Sequence, residues 1–178
     1  MIKAIQWTLA VVGVAALLVV GAGFFLPTSF AVERSVIVDA PADRVFNLVV
    51  DPREWKRWTV WNRRDPDMEI TYNGPPFGQG ARWAWKSRTE GEGSMTFTRV
   101  VPNERVGYEL FFPELNMKSE GELILEPASQ SATRLTWTNR GDVGRNPLQR
   151  YLAVSMDRLV GPDFEGGLAN LKQLAERP

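Results

Sequence analysis

The sequence predicts an α+β domain in which a long C-terminal helix covers one face of an antiparallel sheet, carried behind a single membrane-spanning helix. Three observations predict it. Trp7 to Leu26 is a run of 20 nearly all apolar residues, the length a helix needs to cross a bilayer core. The middle of the chain alternates apolar and polar residues, the period of strands that are dry on one face and wet on the other. From Pro147 to Glu176 the apolar residues recur mostly three or four apart, which places them on one stripe of a helix.

Composition removes several chemistries. The 178 residues contain 21 Lys and Arg against 21 Asp and Glu, with no basic cluster beyond Arg63-Arg64. A nucleic-acid partner needs a basic face, so none is expected. Cysteine and histidine are both absent. That excludes thiol nucleophiles, Ser-His-Asp relays, the usual zinc sites and histidine-ligated haem. No cofactor and no metal are expected, and any acid–base work falls to Asp, Glu, Lys or Tyr.

In chain order, residues 4–26 form the predicted membrane segment. No charge occurs from Ala4 to Val32, and Trp7 and Phe24-Phe25 suit the two interfaces. The competing reading is a cleaved signal peptide, with Ser29-Phe30-Ala31 as a small-residue cleavage site. The apolar run exceeds the roughly 7–15 residues of a signal h-region, which favours an uncleaved anchor. Lys3 and the N-terminal amine ahead of the helix put the N-terminus in the cytoplasm and the domain outside it, periplasmic or extracellular. The division is therefore an anchor and link at 1–31 and a domain at 32–178.

Val32 to Val38 is β-branched and extended. Asp39-Ala40-Pro41 starts a short helix with Val45, Leu48 and Val49 on one side, and Asp51 caps a second, Arg53 to Trp58. Six strands follow. Glu69–Asn73 ends at Gly74-Pro75-Pro76, a turn signal. Ala81, Trp83 and Trp85 then share a face, as do Met95 and Phe97, and as do Val106, Tyr108, Leu110 and Phe112. Gly121, Leu123 and Leu125 repeat the pattern, and Leu135 and Trp137 close it. The final helix begins with Asn146 as cap and Pro147 at its first position. Its stripe is Leu148, Tyr151, Leu152, Met156, Leu159, Val160, Phe164, Leu168, Leu171 and Leu174, and Gly161-Pro162 predicts a kink or a break.

Specific residues add a resemblance. Phe30 to Pro41, Val45-Phe46, Asp51-Pro52-Arg53-Glu54-Trp55 and Trp58 resemble the opening of the START-like superfamily, also called SRPBCC, and within it the polyketide cyclase/dehydrase-like proteins. Val160-Gly161, Asp163-Phe164-Glu165 and Gly167 to Lys172 resemble the last helix of that group. The resemblance spans about residues 30–176. It implies a helix-grip fold, a curved antiparallel sheet of about seven strands wrapped around the long C-terminal helix, with a cavity between them. Two departures stand out: Thr59-Val60-Trp61 replaces an expected Ser-Pro-Trp, and Pro162 lies inside the final helix.

The candidate ligand pocket comprises Trp83, Trp85, Phe97, Tyr108, Phe112 and Trp137 from the sheet and Met156, Val160 and Phe164 from the helix. Large apolar side chains under a sheet also serve simply as core. The carboxylate pairs Glu90/Glu92 and Glu120/Glu122 fall on the wet side of their strands, and Asp65-Pro66-Asp67 reads as a loop. The expected function is a membrane-anchored binding domain for a hydrophobic small molecule or lipid. One alternative is a cyclase/dehydratase-like enzyme with Tyr108 or a buried carboxylate as acid, although no catalytic pair is evident. Another is a protein-interaction module with a closed cavity, presenting Trp55, Trp58 and Trp61 to a partner.

Overall fold

The computed structural model describes residues 2–177, with side chains from residue 5. Helix α1 (Ile2–Gly23) precedes strand β1 (Ser29–Val38) and the short helices α2 (Ala42–Val50), α3 (Pro52–Trp58) and α4 (Trp61–Arg64). Strands β2 (Glu69–Asn73), β3 (Arg82–Ser87), β4 (Gly91–Val101), β5 (Arg105–Phe112), β6 (Met117–Pro127) and β7 (Thr133–Asp142) follow, and helix α5 (Pro147–Ala175) ends the fold. All strand pairs are antiparallel, in the order β1-β7-β6-β5-β4-β3-β2. Strands β2 to β7 form a meander, and β1 closes it by pairing with β7. The sheet is curved and α5 lies against it, so the helix-grip expectation holds.

Register explains what the concave face carries. Phe30, Gly141, Ser119, Leu110, Met95, Trp83 and Tyr72 are successive partners across the sheet. The neighbouring row runs Val32, Asn139, Gly121, Tyr108 and Phe97. Because side chains alternate along a strand, both rows face α5. Gly121 is required where it stands: a Cβ there would run into the Tyr108 ring and the Thr138 carbonyl. The bare backbone lets the phenol lie flat across β6.

Several local expectations change. Strand β1 begins at Ser29, three residues early, because Phe30 is buried and pairs with Gly141. A third short helix, α4, occupies the segment after Thr59. Pro162 does not break α5, which runs 29 residues without interruption. Arg34, on the inner face of β1, bridges the place where a break was expected. Its Nε donates to Glu165 Oε1 at 2.6 Å and its Nη1 to Asp157 Oδ1 at 2.8 Å, carboxylates one turn either side of Gly161. Its guanidinium rests on Gly161, where any side chain would collide with it.

The first turns of α5 join the core on one side only, through Ala153 and Met156. Leu148, Tyr151 and Leu159 belong to the stripe expected to be buried, yet they are exposed, as is Val154. The other side of this end of α5 meets α1. The Tyr151 hydroxyl donates to the Val19 carbonyl at 2.7 Å, and Arg150 Nη1 donates to the carbonyls of Phe24 at 2.6 Å and Leu26 at 3.3 Å. Helix α1 is long and apolar enough over Ile5–Gly23 to cross a membrane, and it is exposed along most of that span, with Gly23 at its end buried against Pro147.

Candidate functional site

Between the concave face and α5 lies a cavity of about 320 Å³, at the small end of the range for ligand pockets. The sheet supplies Trp83, Trp85, Met95, Tyr108, Leu110 and Phe112, the helix supplies Leu152, Met156, Val160 and Phe164, and α3 and α4 supply Trp55 and Trp61. The exposed side chains of Leu115 and Leu159 also line it, so one side of the cavity is open.

Of the nine residues expected to form a pocket, Trp83, Trp85, Tyr108, Phe112, Met156, Val160 and Phe164 line this cavity. Phe97 and Trp137 do not, and both are buried behind it at 1% exposure. Trp137 stacks on Phe164 at 3.9 Å with the rings 4° from parallel, and Phe97 meets Trp83 edge-on at 5.4 Å. They are the backing of the wall and hold its lining residues in place.

Trp55 and Trp58, expected to face a partner in the interaction-module reading, are instead buried, at 3% and 0% exposure. Their indole N–H groups donate to the carbonyls of Val49 and Leu48, each at 2.9 Å. Those carbonyls belong to the last turn of α2, which has no partner of its own for them. The two indoles therefore cap α2, and their rings join Trp83 and Trp137 in one aromatic cluster, with centroids 4.7 to 5.7 Å apart. Trp61 alone of the three is half-buried at the cavity.

Four polar features of the wall escaped the sequence reading. Glu90, expected on the wet side, follows β3 in a turn that folds inward, and its side chain is 15% exposed. Asp163, on α5, also lines the cavity and accepts the Trp61 indole N–H at 2.9 Å. Arg64 pairs with both, through Nη2 to Asp163 and through Nη1 to Glu90 at 3.5 Å. The hydrogen bond to Asp163 raises the Arg64 pKa further, so the pair of carboxylates is met by a fixed cation. The other two features are Ser119 and Asn139, at 3% and 7% exposure on inward positions of β6 and β7. A signal existed: each interrupts an otherwise apolar alternation.

Tyr108 is the buried phenol of the site. Its hydroxyl accepts the Trp137 indole N–H at 2.9 Å and donates to the Thr138 carbonyl at 3.0 Å. Burial pushes its pKa well up, with the Trp137 hydrogen bond opposing. It stays a neutral phenol whose proton is already committed to the backbone. Asp65, expected in an open loop, is 6% exposed; it accepts from Ser87 Oγ at 2.6 Å and from the backbone N–H groups of Arg88 and Asp67. These bonds, the Ser87 hydroxyl first, hold its carboxyl below the usual range. It is a structural anchor for the β3–β4 turn that carries Glu90. Among the described residues no group of three carboxylates is placed to hold a metal ion.

A curved sheet gripping one helix, with an apolar cavity between them, defines a helix-grip domain of the ligand-binding and cyclase kind. Residues 29–176 match the family described as polyketide cyclase / dehydrase and lipid transport, and the chain belongs to that family. No curated protein matches it in sequence. Among solved structures it resembles a protein from Thermobifida fusca at 24% identity and a TM-score of 0.63, over 82% of this chain and 92% of that one. It also resembles norcoclaurine synthase from Thalictrum flavum, solved with dopamine and hydroxybenzaldehyde, at 12% identity and a TM-score of 0.64 over 88% and 93% of the two chains. The di-domain ARO/CYC BexL of the BE-7585A biosynthetic pathway matches at 22% identity and a TM-score of 0.61, over 82% of this chain and 46% of that one. At these identities the likeness is one of fold.

Proposed function

We propose that the protein is a membrane-anchored binding domain for a hydrophobic small molecule or lipid, held between the sheet and α5 by Trp83, Trp85, Tyr108, Phe112, Met156, Val160 and Phe164. The observation that carries this reading is the open apolar cavity of about 320 Å³, because packed cores leave few voids larger than a water molecule. Helix α1 is the anchor. Cleavage after Ala31 would remove Phe30 from the core and the first three residues of β1 from the sheet, which supports an uncleaved chain. The link between anchor and domain then shrinks to residues 24–28. With Lys3 on the cytoplasmic side, the domain lies outside the cytoplasm. Tethering keeps the cavity at the bilayer surface and raises its encounter rate with lipid.

The test is mass spectrometry of molecules carried by the full chain after gentle detergent extraction, beside Val160→Trp, which fills the cavity. A defined apolar molecule on the parent and little on the variant is the expected result. A parent that carries nothing and takes up no added hydrophobic probe would sink the reading. Glu90 and Asp163 at the wall favour the cyclase/dehydratase-like alternative, in which one of them moves a proton. Retention of ligand but loss of turnover in Asp163→Asn, with a substrate found by the same extraction, would favour the enzyme.

A further inference from the structure

Five polar residues are buried among the described residues: Thr59, Asp65, Ser119, Thr133 and Asn139. Thr59 Oγ1 bonds Asn62, Asp65 holds the β3–β4 turn, and Thr133 Oγ1 donates to the Ala40 carbonyl at 2.8 Å. Ser119 Oγ and Asn139 Oδ1 have no partner among the described residues. Both residues line the cavity. A hydroxyl or amide removed from water and left unbonded destabilises the fold, so two such groups in one wall call for a reason.

Their placement supplies one. Ser119 lies opposite Gly141, and Asn139 is two residues along the same strand, so the pair is a diagonal neighbour pair about 7–8 Å apart. The two glycines between them, Gly121 and Gly141, put no side chain over the backbone there. Ser119 and Asn139 do not bond one another, and one small polar group seated between them can meet both. A serine hydroxyl both donates and accepts, and the free amide oxygen accepts. Neither carries charge, and the cavity's carboxylates belong to the β3–β4 turn and α5, where Arg64 engages them. The cation of the lining, Lys56, stands on α3 and not on β6 or β7, so an anion seated at Ser119 and Asn139 would lose its hydration without a charged partner on the strands that hold it.

We propose that Ser119 and Asn139 form a polar subsite that takes the uncharged hydroxyl end of an otherwise apolar ligand, a phenol or fatty alcohol rather than a ketone or a carboxylate, because only a hydroxyl can accept from Ser119 and donate to the Asn139 amide oxygen. This rests on the cavity being a ligand site. The apolar body lies along Leu110, Met95 and Trp83, the next members of the row that Ser119 belongs to. The subsite orients the ligand, polar end toward β6 and β7 and apolar end toward β3.

The test is binding of 2-naphthol, naphthalene and 2-naphthoate to the full chain in detergent, read by titration calorimetry, with 1-decanol and decane as a second pair to separate an aromatic from an acyl body. The parent is expected to prefer 2-naphthol or 1-decanol to its hydrocarbon by about tenfold, one good hydrogen bond's worth, and to prefer either to 2-naphthoate. Ser119→Ala/Asn139→Leu is expected to bind the hydrocarbons as well as the parent does and to lose the preference. Removing unbonded buried groups does not weaken the fold, so the double variant is expected to melt no lower than the parent. Ser119→Ala alone gives a second variant of minimal volume change, expected to lose part of the preference. Hydrocarbon binding with no preference for the hydroxyl, or a preference that survives the double variant, overturns the subsite and leaves the cavity reading standing. No binding of any probe to the parent overturns both.

Discussion

The Tyr108 hydroxyl ties β5 to β7 across Gly121 of β6, and its removal is the sharpest residue-scale test. Tyr108→Phe keeps the ring but leaves the Trp137 indole N–H and the Thr138 carbonyl with one partner fewer. Stranding buried groups costs about 1–3 kcal/mol, and urea unfolding followed by tryptophan fluorescence is expected to show a loss of that size. Gly121→Ala attacks the same contact from the other strand. Its methyl would overlap the Tyr108 ring, and overpacking of this kind costs about 1–3 kcal/mol. Because Tyr108→Phe leaves a ring at the same place, Gly121→Ala is expected to be costly in that background as well. A harmless Gly121→Ala in the parent would mean that the phenol does not lie flat over β6. The residues that line the cavity were legible as inward positions of strands. Which of them face the void and which lie behind it was not, since Phe97 and Trp137 alternate in the same way as Trp83 and Tyr108.

At the scale of elements, α5 holds a proline inside a continuous helix with an arginine clamped across it. Proline in a helix interior removes a hydrogen bond and crowds the preceding turn, at about 3 kcal/mol. Pro162 is exposed, so Pro162→Ala is expected to stabilise the domain by about 1–3 kcal/mol in the same unfolding measurement. The clamp has a pH signature. The hydrogen bond from Arg34 holds the Asp157 carboxyl below its usual range, so its contribution is present above the ordinary carboxylate pKa and is lost as pH falls through the lowered folded value. Thermal midpoints of the parent and Asp157→Asn are expected to differ at neutral pH and to converge as the pH falls below the ordinary carboxylate range. A gap that widened in acid would contradict the assignment. The stripe of α5 showed where the helix begins and ends, but not that Leu148 and Tyr151 on it stay outside the core. That depends on α1, which takes the Tyr151 and Arg150 contacts.

For the whole molecule, the question is what the apolar first helix does. An uncleaved anchor predicts an intact mass of 20.0 kDa for the full 178 residues in the membrane fraction, resistant to alkaline extraction. A product beginning at Val32 would show a signal peptide instead. The sheet–helix architecture was determined by the sequence alone, because period-2 and period-3.6 apolar patterns are local and each can be satisfied by only one kind of element. The absence of histidine and cysteine, and with it the loss of whole classes of chemistry, was equally visible. Tertiary structure alone decided which polar side chains are buried. Glu90 sits in a turn, anchored by Asp65, whose direction no alternation encodes, and Ser119 and Asn139 are brought to one wall by a register that pairs two separate strands. Trp55 and Trp58 went inward because the carbonyls at the end of α2 needed donors. Alternation assigns each residue to a face, but a site is a meeting of faces, and that meeting depends on the register and curvature of strands distant in the chain.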